Sequence, residues 1–525
     1  MFELKVTTAD GRKAWTTDRK EWSTPGGSFV RPFLNPALET KALQAPGMTL
    51  FISRERLSAG PKRPQPAALE TVSRKELLAC LDAQAEHPLD YCAVLVVGGR
   101  EPRCEVRCGQ WGSAPLYLID PEDDVLHGHW HPARLYQLLR RKRIDLSMFA
   151  ASLVGREPIY STHTYYTDIR RVTERARAIW DGRTLTIEEP AKVTLMGPGR
   201  WEQGVDPVGL YLGLAQACMN RRAPGLGRTI SCELSGGLDS ALVAGLATRC
   251  GAVRSYGMIM AGRNGRLQTT RRRTMTRIFG LEDTTVNAAE WLPLVDPERE
   301  SVVPWGEFYH SATSAMLDRA VADGATAMLT GIGGDELSPI FAHEAKADPA
   351  EANETPHPAV SDLAREMAKA VPAGVPPGTI PASALSAADC CGHFFMQHGL
   401  WPVHPLMSPS LVRISQRLPL ESRRGRELQR QVLGALGLPK SATHPKETEN
   451  FREISERALR RSARKRLREL FAECRLAELG LIDADKLRRC YDQFIKEGAG
   501  KNEEASFFLM QLASFEQSFR AFANA

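Results

Sequence analysis

The stretch that most constrains the fold is Cys232–Val243, which reads CELSGGLDSALV. The apolar run RTISCEL ends there in a Ser-Gly-Gly turn, as a buried strand does when its chain reverses direction. A helical pattern begins directly afterwards, because Leu238, Leu242 and Leu246 fall on one face of a helix. The stretch therefore predicts a strand, a glycine turn and a helix.

The same alternation continues to about residue 340. The further strand and helix patterns are, in order, SYGMIM, a helix over Thr269–Phe279, DTTVNA, a helix over Ser311–Ala322, and TAMLTG. Strands that alternate with helices indicate a parallel sheet with helices on both faces. We therefore expect an α/β fold with a doubly wound parallel sheet in this part of the chain.

The residues of the first turn suit a nucleotide. Gly236 and Gly237 let the backbone approach a ligand closely, and the amides of the turn and of the helix N-terminus favour an anion such as pyrophosphate. Ser235 and Ser240 add hydroxyl donors, whereas the carboxylate of Asp239 is suited to a magnesium ion that bridges to phosphates. No Walker sequence is present, so the SGGLDS hexapeptide itself is the predicted site of ATP and Mg²⁺.

A second turn has the same design. Leu329–Leu337 reads LTGIGGDEL, a strand followed by glycines and an acidic helix start, in which Asp335 is the second candidate magnesium carboxylate. By itself such a segment is more often a capped helix. Because ligands bind at the carboxyl ends of the strands in an open parallel sheet, the two turns are predicted to lie together.

Together, SGGLDS and GIGGDEL resemble the asparagine synthetase superfamily of ATP pyrophosphatases. Three longer segments also resemble parts of that family: GQWGSAPLYLIDPEDD, WPVHPLMSPSLVRISQRLP and LGLPKSATHPKETENF. The resemblance spans most of the chain. It implies an inactive, glutaminase-like domain of the β-rich Ntn-hydrolase type over residues 1–200, and an ATP-binding synthetase domain with a helical tail over residues 201–525.

The resemblance also implies roles for individual residues. The phosphates of ATP are expected at Ser235, Gly236, Gly237, Leu238, Asp239 and Ser240, with the adenine at Leu234, Met258 and Gly331, and magnesium at Asp239 and Asp335. Lys446 matches the family lysine that stabilises negative charge in the transition state, and Lys440 is the competing choice. The acceptor of the amine proton stays open between His404, His398 and Glu336.

Three features depart from the family pattern. Phe2 stands where asparagine synthetases carry the cysteine that hydrolyses glutamine, so we do not expect ammonia from glutamine. Ile332 replaces an ionisable residue of the glycine turn. Trp401, Val403 and Ser408 replace charged residues that help to recognise a small amino acid, which argues against free aspartate as the substrate.

These losses favour a cyclase over an amidating enzyme. We expect a lasso-peptide macrolactam synthetase, which adenylates an Asp or Glu side chain of a precursor peptide and joins it to an amine of the same peptide. Its partners are then the precursor peptide, a leader peptidase and a leader-binding protein. Three alternatives stay open: a β-lactam synthetase acting on a small β-amino acid, asparagine-type amidation, and a scaffold protein with a degenerate site.

Composition sets the remaining expectations. A chain of 525 residues exceeds one compact core, and its net charge of +6 does not indicate a nucleic-acid partner. No run approaches the roughly 20 apolar residues of a membrane span, and there is no signal-like start, so a cytoplasmic protein with reduced cysteines is expected.

Two further segments have predicted structures. Residues 343–383 are predicted to be an insertion around one helix, Val360–Ala370. The basic stretch FREISERALRRSARKRLREL is predicted to be one amphipathic helix with a solvated face or a docking surface for an acidic peptide.

Overall fold

The computed structural model describes residues 1–10, 13–119, 124–155, 158–194, 197–226, 230–341, 344, 356–371, 374–498 and 503–525. In these residues the strands are β1 (Phe2–Thr7), β2 (Thr16–Thr17), β3 (Trp22–Ser23), β4 (Phe29–Pro32), β5 (Leu38–Ala45), β6 (Met48–Glu55), β7 (Leu69–Thr71), β8 (Tyr91–Val97), β9 (Arg103–Cys108), β10 (Leu116–Ile119), β11 (Val125–His129), β12 (Ile169–Val172), β13 (Arg177–Trp180), β14 (Leu185–Glu188), β15 (Ser231–Glu233), β16 (Arg254–Ile259), β17 (Glu282–Asn287), β18 (Ala327–Leu329) and β19 (Trp401–Val403).

The helices are α1 (Arg74–Asp82), α2 (Leu146–Gly155), α3 (Pro207–Leu226), α4 (Leu238–Thr248), α5 (Gly262–Phe279), α6 (His310–Ala322), α7 (Asp362–Ala368), α8 (Ala382–Gln397), α9 (Pro409–Arg417), α10 (Leu420–Arg423), α11 (Glu427–Ala435), α12 (Lys440–Thr443), α13 (Arg452–Arg457), α14 (Arg464–Ala472), α15 (Arg475–Glu478), α16 (Ala484–Glu497) and α17 (Glu503–Asn524).

The N-terminal part consists of two facing sheets. Within the described residues, one has the strand order β12-β10-β11-β1-β4-β3-β2 and the other the order β14-β13-β9-β8-β6-β5-β7. Neighbours run antiparallel, with β5 and β7 as a parallel pair. Alternate residues point inward, so that Phe2 and Leu118 of the first sheet share a core with Phe51 and Val94 of the second.

Helices cover the outer faces of both sheets. Helix α1 packs Leu77 and Leu81 on the second sheet, and Ser73 caps its first turn. The outer face of the first sheet packs against α2 and the C-terminal helix α17, where Phe149 and Phe515 meet edge to face at 5.2 Å. The result is a four-layer arrangement of helix, sheet, sheet and helix.

The central sheet of the C-terminal part is parallel throughout. Its described strands have the order β17-β16-β15-β18-β19. The chain moves outward in one direction from β15 to β17 and then crosses to β18 on the other side of β15. The predicted doubly wound parallel sheet is therefore confirmed, and the reversal of strand order falls between β15 and β18. At such a point the connecting loops diverge and leave a crevice for a ligand.

Several local predictions are confirmed. Helix α4 begins and ends at the predicted residues, Leu238 and Thr248. The dipeptide Asp181-Gly182, which by itself predicts a short hairpin, joins β13 to β14, and Gly182 has φ 94°. The helix predicted within the insertion is confirmed as α7 (Asp362–Ala368), whereas residues 343, 345–355, 372 and 373 of the insertion lie outside the described residues.

The single basic helix predicted after residue 450 is wrong. The chain forms α13, then a π-helical segment over Ala458–Ser462, and then α14. Tyr491 of α16 donates a hydrogen bond to the main-chain carbonyl of Leu459, so a side chain of another helix satisfies this acceptor within the π segment.

In the described part of the chain, no helix combines the length and the apolar character that a membrane crossing requires.

Candidate functional site

The Ser235–Ser240 loop leaves β15 at the centre of the parallel sheet. Leu234 is buried and its amide still pairs with the carbonyl of Tyr256 on β16. Gly236 then turns the chain with φ 97°, a conformation that a residue with a Cβ rarely adopts. The reversal brings the amides of the loop together at the carboxyl edge of the sheet.

Hydroxyl groups hold this loop in shape. Ser240 Oγ accepts the amide of Ser235 at 3.1 Å and lies 3.0 Å from Ser235 Oγ. Ser235 Oγ in turn accepts the amide of Gly237 at 3.1 Å. The two serines predicted to contact phosphate are therefore also the internal braces of the loop.

Helix α4 begins at Leu238 with no side-chain cap at Gly237. Residues Ser240–Ala247 of the helix are buried, so its position beneath the loop is fixed by packing. An uncapped and well-anchored helix N-terminus presents free amides and the positive end of the helix dipole. The arrangement suits a phosphate group.

The Gly331–Asp335 turn lies directly against the first loop. A Cβ on Gly331 would lie 2.8 Å from the amide nitrogen of Ser240, and one on Gly334 would lie 2.3 Å from Cγ of Asp239. Gln429 of α11 donates to the carbonyl of Gly334 at 2.8 Å and supports the turn from behind. Glycine is therefore required at both positions for the two turns to meet.

Asp239 and Asp335 face one common cation, the guanidinium of Arg426. Nη1 of Arg426 lies 2.9 Å from Oδ2 of Asp239, and Nη2 pairs with Oδ1 of Asp335. The other oxygen of Asp239, Oδ1, is buried and has no hydrogen-bond partner in the described residues. Burial raises the pKa of Asp239, and Arg426 partly offsets that rise.

The predicted adenine residues lie on both sides of β15. Gln268, fully buried on α5, donates to the carbonyls of Ser235 at 2.7 Å and Met258 at 2.9 Å, which fixes the ends of β15 and β16 relative to each other. Leu234 follows β15, between the end of β16 and the loop after β18. In that loop, Gly331 lies against the start of α4. Leu234 and Met258 are thus brought together, while Gly331 lies across the loop.

Lys446 lies on a segment that crosses over the first loop. A Cβ on Gly236 would lie 2.9 Å from Glu449 Oε1, and Arg271 of α5 holds that carboxylate with Nε at 3.0 Å. Lys446 itself is exposed in the wall of a cleft of about 470 Å³ that also includes Arg263. Among the described residues it makes no hydrogen bond or ion pair. Lys440 is also exposed, at the start of α12.

The three candidate proton acceptors lie in different surroundings. His404 is fully buried, its Nδ1 lies 2.7 Å from Thr330 Oγ1, and burial lowers its pKa to about 3. His398 pairs with Asp318 at 2.9 Å near the end of α8. Glu336 accepts a hydrogen bond from Ser383 at 2.8 Å and follows Asp335 directly. Of the three, only Glu336 adjoins the carboxylate pair.

Three site residues were missed at the level of sequence: Arg426, Glu449 and Gln268. Arg426 belongs to the run SRRGRE, which has the composition of a solvated charged surface. Its special position comes from a left-handed backbone, with φ 59°, just before α11. The neighbouring Gly425, also left-handed at φ 63°, is the one local signal that could have indicated a sharp turn there.

Comparisons with known proteins bear on this site. Residues 216–372 match the family model described as asparagine synthase, a segment that includes both glycine turns and falls well short of half the chain. Among the curated proteins none matches the sequence. One similar solved structure is the U34-tRNA thiolase NcsA from Methanococcus maripaludis with its 4Fe-4S cluster, at 12% identity and a TM-score of 0.24 over 55% of this chain and 80% of that one.

The family match falls on the part of the chain where the two glycine turns and their carboxylates meet. Asparagine synthases use ATP to form amides, and this use of ATP implies Mg²⁺. Residues 216–372 thus carry an asparagine synthase domain, and the protein is an ATP-dependent, amide-forming ligase of the asparagine synthetase-like type.

Proposed function

We propose that the protein adenylates the side-chain carboxylate of an Asp or Glu residue in a precursor peptide and closes a macrolactam, with release of AMP and pyrophosphate. The observation that carries the proposal is the meeting of the Ser235–Ser240 loop and the Gly331–Asp335 turn at the point where the strand order reverses. Their carboxylates converge on one cation position, which Arg426 holds.

The residues present are suited to magnesium. Asp239 Oδ1 is a buried oxygen without a partner among the described residues, and the second carboxylate lies across the same guanidinium. Magnesium commonly takes one or two protein carboxylates and completes its shell with phosphate oxygens and waters. Asp239 and Asp335 would hold it, and the ion would neutralise charge that develops on the phosphates.

The main chain would bind the phosphates. The uncapped amides at the start of α4 and the amide of Gly236 lie near the carboxylates, whereas the amides of Ser235 and Gly237 are bonded within the loop. Ser235 and Ser240 keep that cradle open by bonding to each other. Such a preorganised set of donors stabilises negative charge without having to rearrange during the reaction.

Two bond exchanges follow from this arrangement. An oxygen of the substrate carboxylate attacks the α-phosphorus of ATP, and pyrophosphate leaves. The amine nitrogen of the same substrate then attacks the acyl carbon, a C–N bond forms, the bond from the acyl carbon to AMP breaks, and the amine loses a proton. Lys446 is proposed to approach the phosphates and stabilise negative charge in both steps. Holding the amine and the acyl group in one molecule removes much of the entropic barrier.

The surroundings of the site favour a peptide over free aspartate. Trp401 and Val403, at positions where the family carries charges, are fully buried in β19, and Trp401 donates to Glu55 at 3.2 Å. Ile332 packs in an apolar cluster that includes Trp111 and Met407. These side chains offer no charge to a small zwitterion.

We further propose that the N-terminal part is an inactive relative of the glutaminase domains of this family. Its four layers, two facing sheets with helices outside, are compatible with an Ntn-hydrolase-like fold. Its outer face packs directly against the C-terminal helix α17, with Phe149 against Phe515. In this proposal the domain has a packing role, and a leader-binding protein and a leader peptidase act on the same precursor.

The test is a reaction with ATP, Mg²⁺ and a synthetic core peptide that has a free N-terminal amine and a single Asp or Glu at ring distance. The proposal predicts a peptide product that is lighter by one water, together with AMP. The same peptide with Asn or Gln at that position is the control and should remain unchanged. Amidation of free aspartate, with no reaction of the peptide, would overturn the proposal.

A further inference from the structure

A cavity of about 520 Å³ lies outside the two glycine turns. Its walls come from residues 158–165, residues 304–308, the start of α8 and the helix α17. The cavity therefore forms where the N-terminal part, the synthetase part and the C-terminal helix meet. Its size is in the range of pockets that bind a small organic molecule or one amino-acid residue.

Six of the residues that line the cavity are aromatic. Trp305 stacks on Tyr165 with ring centroids 5.6 Å apart, and Tyr165 packs on Phe515 at 5.6 Å. Phe308 meets Phe507 edge to face at 5.5 Å. Because these rings pack against one another, the aromatic part of the wall is preformed.

Glu307 is the charged residue among those that line the cavity. It is half-buried, its Oε1 accepts the amide of Tyr309 at 2.9 Å, and no ion pair reaches it from the described residues. Behind the ring of Trp305, the guanidinium of Arg171 is already paired with Asp389 at 2.8 Å. Burial raises the pKa of Glu307, which means that a cation brought into the cavity would stabilise its charged form.

The cavity is connected to the candidate ATP site on two sides. Ser383, in its wall, donates to Glu336 at 2.8 Å, and Glu336 follows the candidate magnesium ligand Asp335. Glu233 ends β15 just before the Ser235 loop, and it is close enough to Glu307 for the two carboxylates to repel each other. The wall of the cavity is thus linked to the elements that carry the candidate ATP site.

We propose that this cavity binds the amine donor of the ligation, as a primary ammonium group held by Glu307 with an apolar or aromatic side chain among the rings. The chemistry follows from the wall, because a carboxylate beside aromatic rings suits a ligand that combines a positive charge with an apolar or aromatic group. This inference rests on the proposed function in assigning the bound amine as the nucleophile. It names the substrate class: a free N-terminal amine on a residue with a bulky apolar side chain.

Binding can be measured by calorimetry on the full chain, without ATP. Phenylalaninamide carries both the amine and the ring, N-acetylphenylalaninamide lacks the positive charge, and glycinamide lacks the ring. We expect phenylalaninamide to bind at least tenfold more tightly than either of the other two. Equal binding of phenylalaninamide and its acetylated form, or no binding of phenylalaninamide, would overturn the proposal.

Variants locate the site. Glu307→Gln should weaken the binding of phenylalaninamide at least tenfold, whereas Glu298→Gln, an exposed position of the same segment, should leave it unchanged. Ala387→Phe, which adds a ring from the wall on α8, should also abolish binding while leaving every charge in place. Unchanged binding in both Glu307→Gln and Ala387→Phe would refute the assignment to this cavity.

The proposed function has a separate readout. Exchange of labelled pyrophosphate into ATP in the presence of the core peptide reports adenylation and does not require the amine site. Exchange that persists in Glu307→Gln, with phenylalaninamide binding lost, supports the inference. If wild-type protein binds phenylalaninamide but shows no exchange with any peptide carboxylate, the proposed function fails and the cation site stands.

Discussion

The guanidinium of Arg426 lies 2.9 Å from the carboxylate of Asp239, and its other terminal nitrogen pairs with Asp335. One side chain therefore neutralises both carboxylates that the sequence assigns to magnesium. Arg426 reaches them from a left-handed backbone position at the start of α11, so the contact is built into the turn between α10 and α11. A magnesium ion would have to displace this guanidinium or share the two carboxylates with it.

Arg426→Gln tests that competition. We expect the variant to bind Mn²⁺, a spectroscopic substitute for Mg²⁺, about tenfold more tightly in the absence of ATP, since roughly 1.4 kcal/mol of competing ion pairing is removed. The measurement is the free Mn²⁺ signal in electron paramagnetic resonance. Arg424→Gln, an exposed neighbour, is the matched control and should behave as wild type. Unaltered Mn²⁺ affinity in Arg426→Gln would mean that the guanidinium does not occupy the metal position.

Gly334→Ala tests the close approach of the two turns. The added Cβ would lie 2.3 Å from Cγ of Asp239, so this carboxylate must rotate away from its present position. We expect ATP affinity in the presence of Mg²⁺ to fall more than tenfold, measured by calorimetry. Gly434→Ala is the control, because a Cβ there meets nothing within 4 Å and the residue lies inside α11. It should raise the free energy of unfolding by about 0.5–1 kcal/mol and leave ATP binding intact.

Lys446→Met separates the two candidate lysines. If Lys446 acts on the transition state, kcat should fall by about 10²–10³-fold with little change in the affinity for ATP, because the charge it stabilises develops only during reaction. Lys440→Met should then be close to wild type. The measurement is steady-state release of pyrophosphate. The reverse pattern, with Lys440 essential and Lys446 dispensable, would reassign the role.

The parallel sheet could be predicted from the sequence because its signals are local. A strand that ends in Ser-Gly-Gly before an apolar helix face specifies β15, the loop and α4 together, and α4 occupies the predicted residues Leu238–Thr248. The position of Asp335 beside Asp239 then follows from topology, since both turns leave the same edge of the sheet.

The contacts made by distant segments could not be predicted in this way. Arg426 and Glu449 reach the site from parts of the chain more than 180 residues after the loop, and their local sequences have the composition of an exposed charged surface. The π segment Ala458–Ser462 was missed for a related reason. Its main chain is held by a hydrogen bond from Tyr491 on another helix, which no helical periodicity encodes.

Glu300→Gln tests the pH dependence of stability. Burial raises the pKa of Glu300 to about 8 and that of Glu55 to about 7, compared with 4.5 for an ordinary glutamate. The folded state therefore retains protons that the unfolded chain releases, and stability that is present below about pH 4.5 is lost as the pH rises to 8. His404, whose pKa burial lowers to about 3, acts in the opposite direction as the pH rises, so the difference in urea unfolding between the wild type and Glu300→Gln is what isolates the contribution of Glu300.

The Glu300→Gln substitution removes the contribution of Glu300 to this pH dependence. The amide oxygen can still accept the amide of Leu294, as Glu300 does at 2.7 Å, but it carries no charge to bury. We expect the variant to be more stable than the wild type by about 1–3 kcal/mol at pH 8 and nearly equal to it at pH 5. Glu298→Gln should follow the wild-type curve, because that side chain is exposed. An equal stability difference between Glu300→Gln and the wild type at pH 5 and at pH 8 would contradict the assignment.

The central claim is that the two glycine turns bind ATP and magnesium for cleavage between the α- and β-phosphates. The most direct measurement is the nucleotide formed from α-labelled ATP with a carboxylate substrate, in wild type, Asp239→Asn and the exposed control Asp485→Asn. We predict labelled AMP from the wild type and from Asp485→Asn, and at least a 10²-fold lower rate from Asp239→Asn with an unchanged melting temperature. Labelled ADP from the wild type, or undiminished AMP from Asp239→Asn, would contradict the claim.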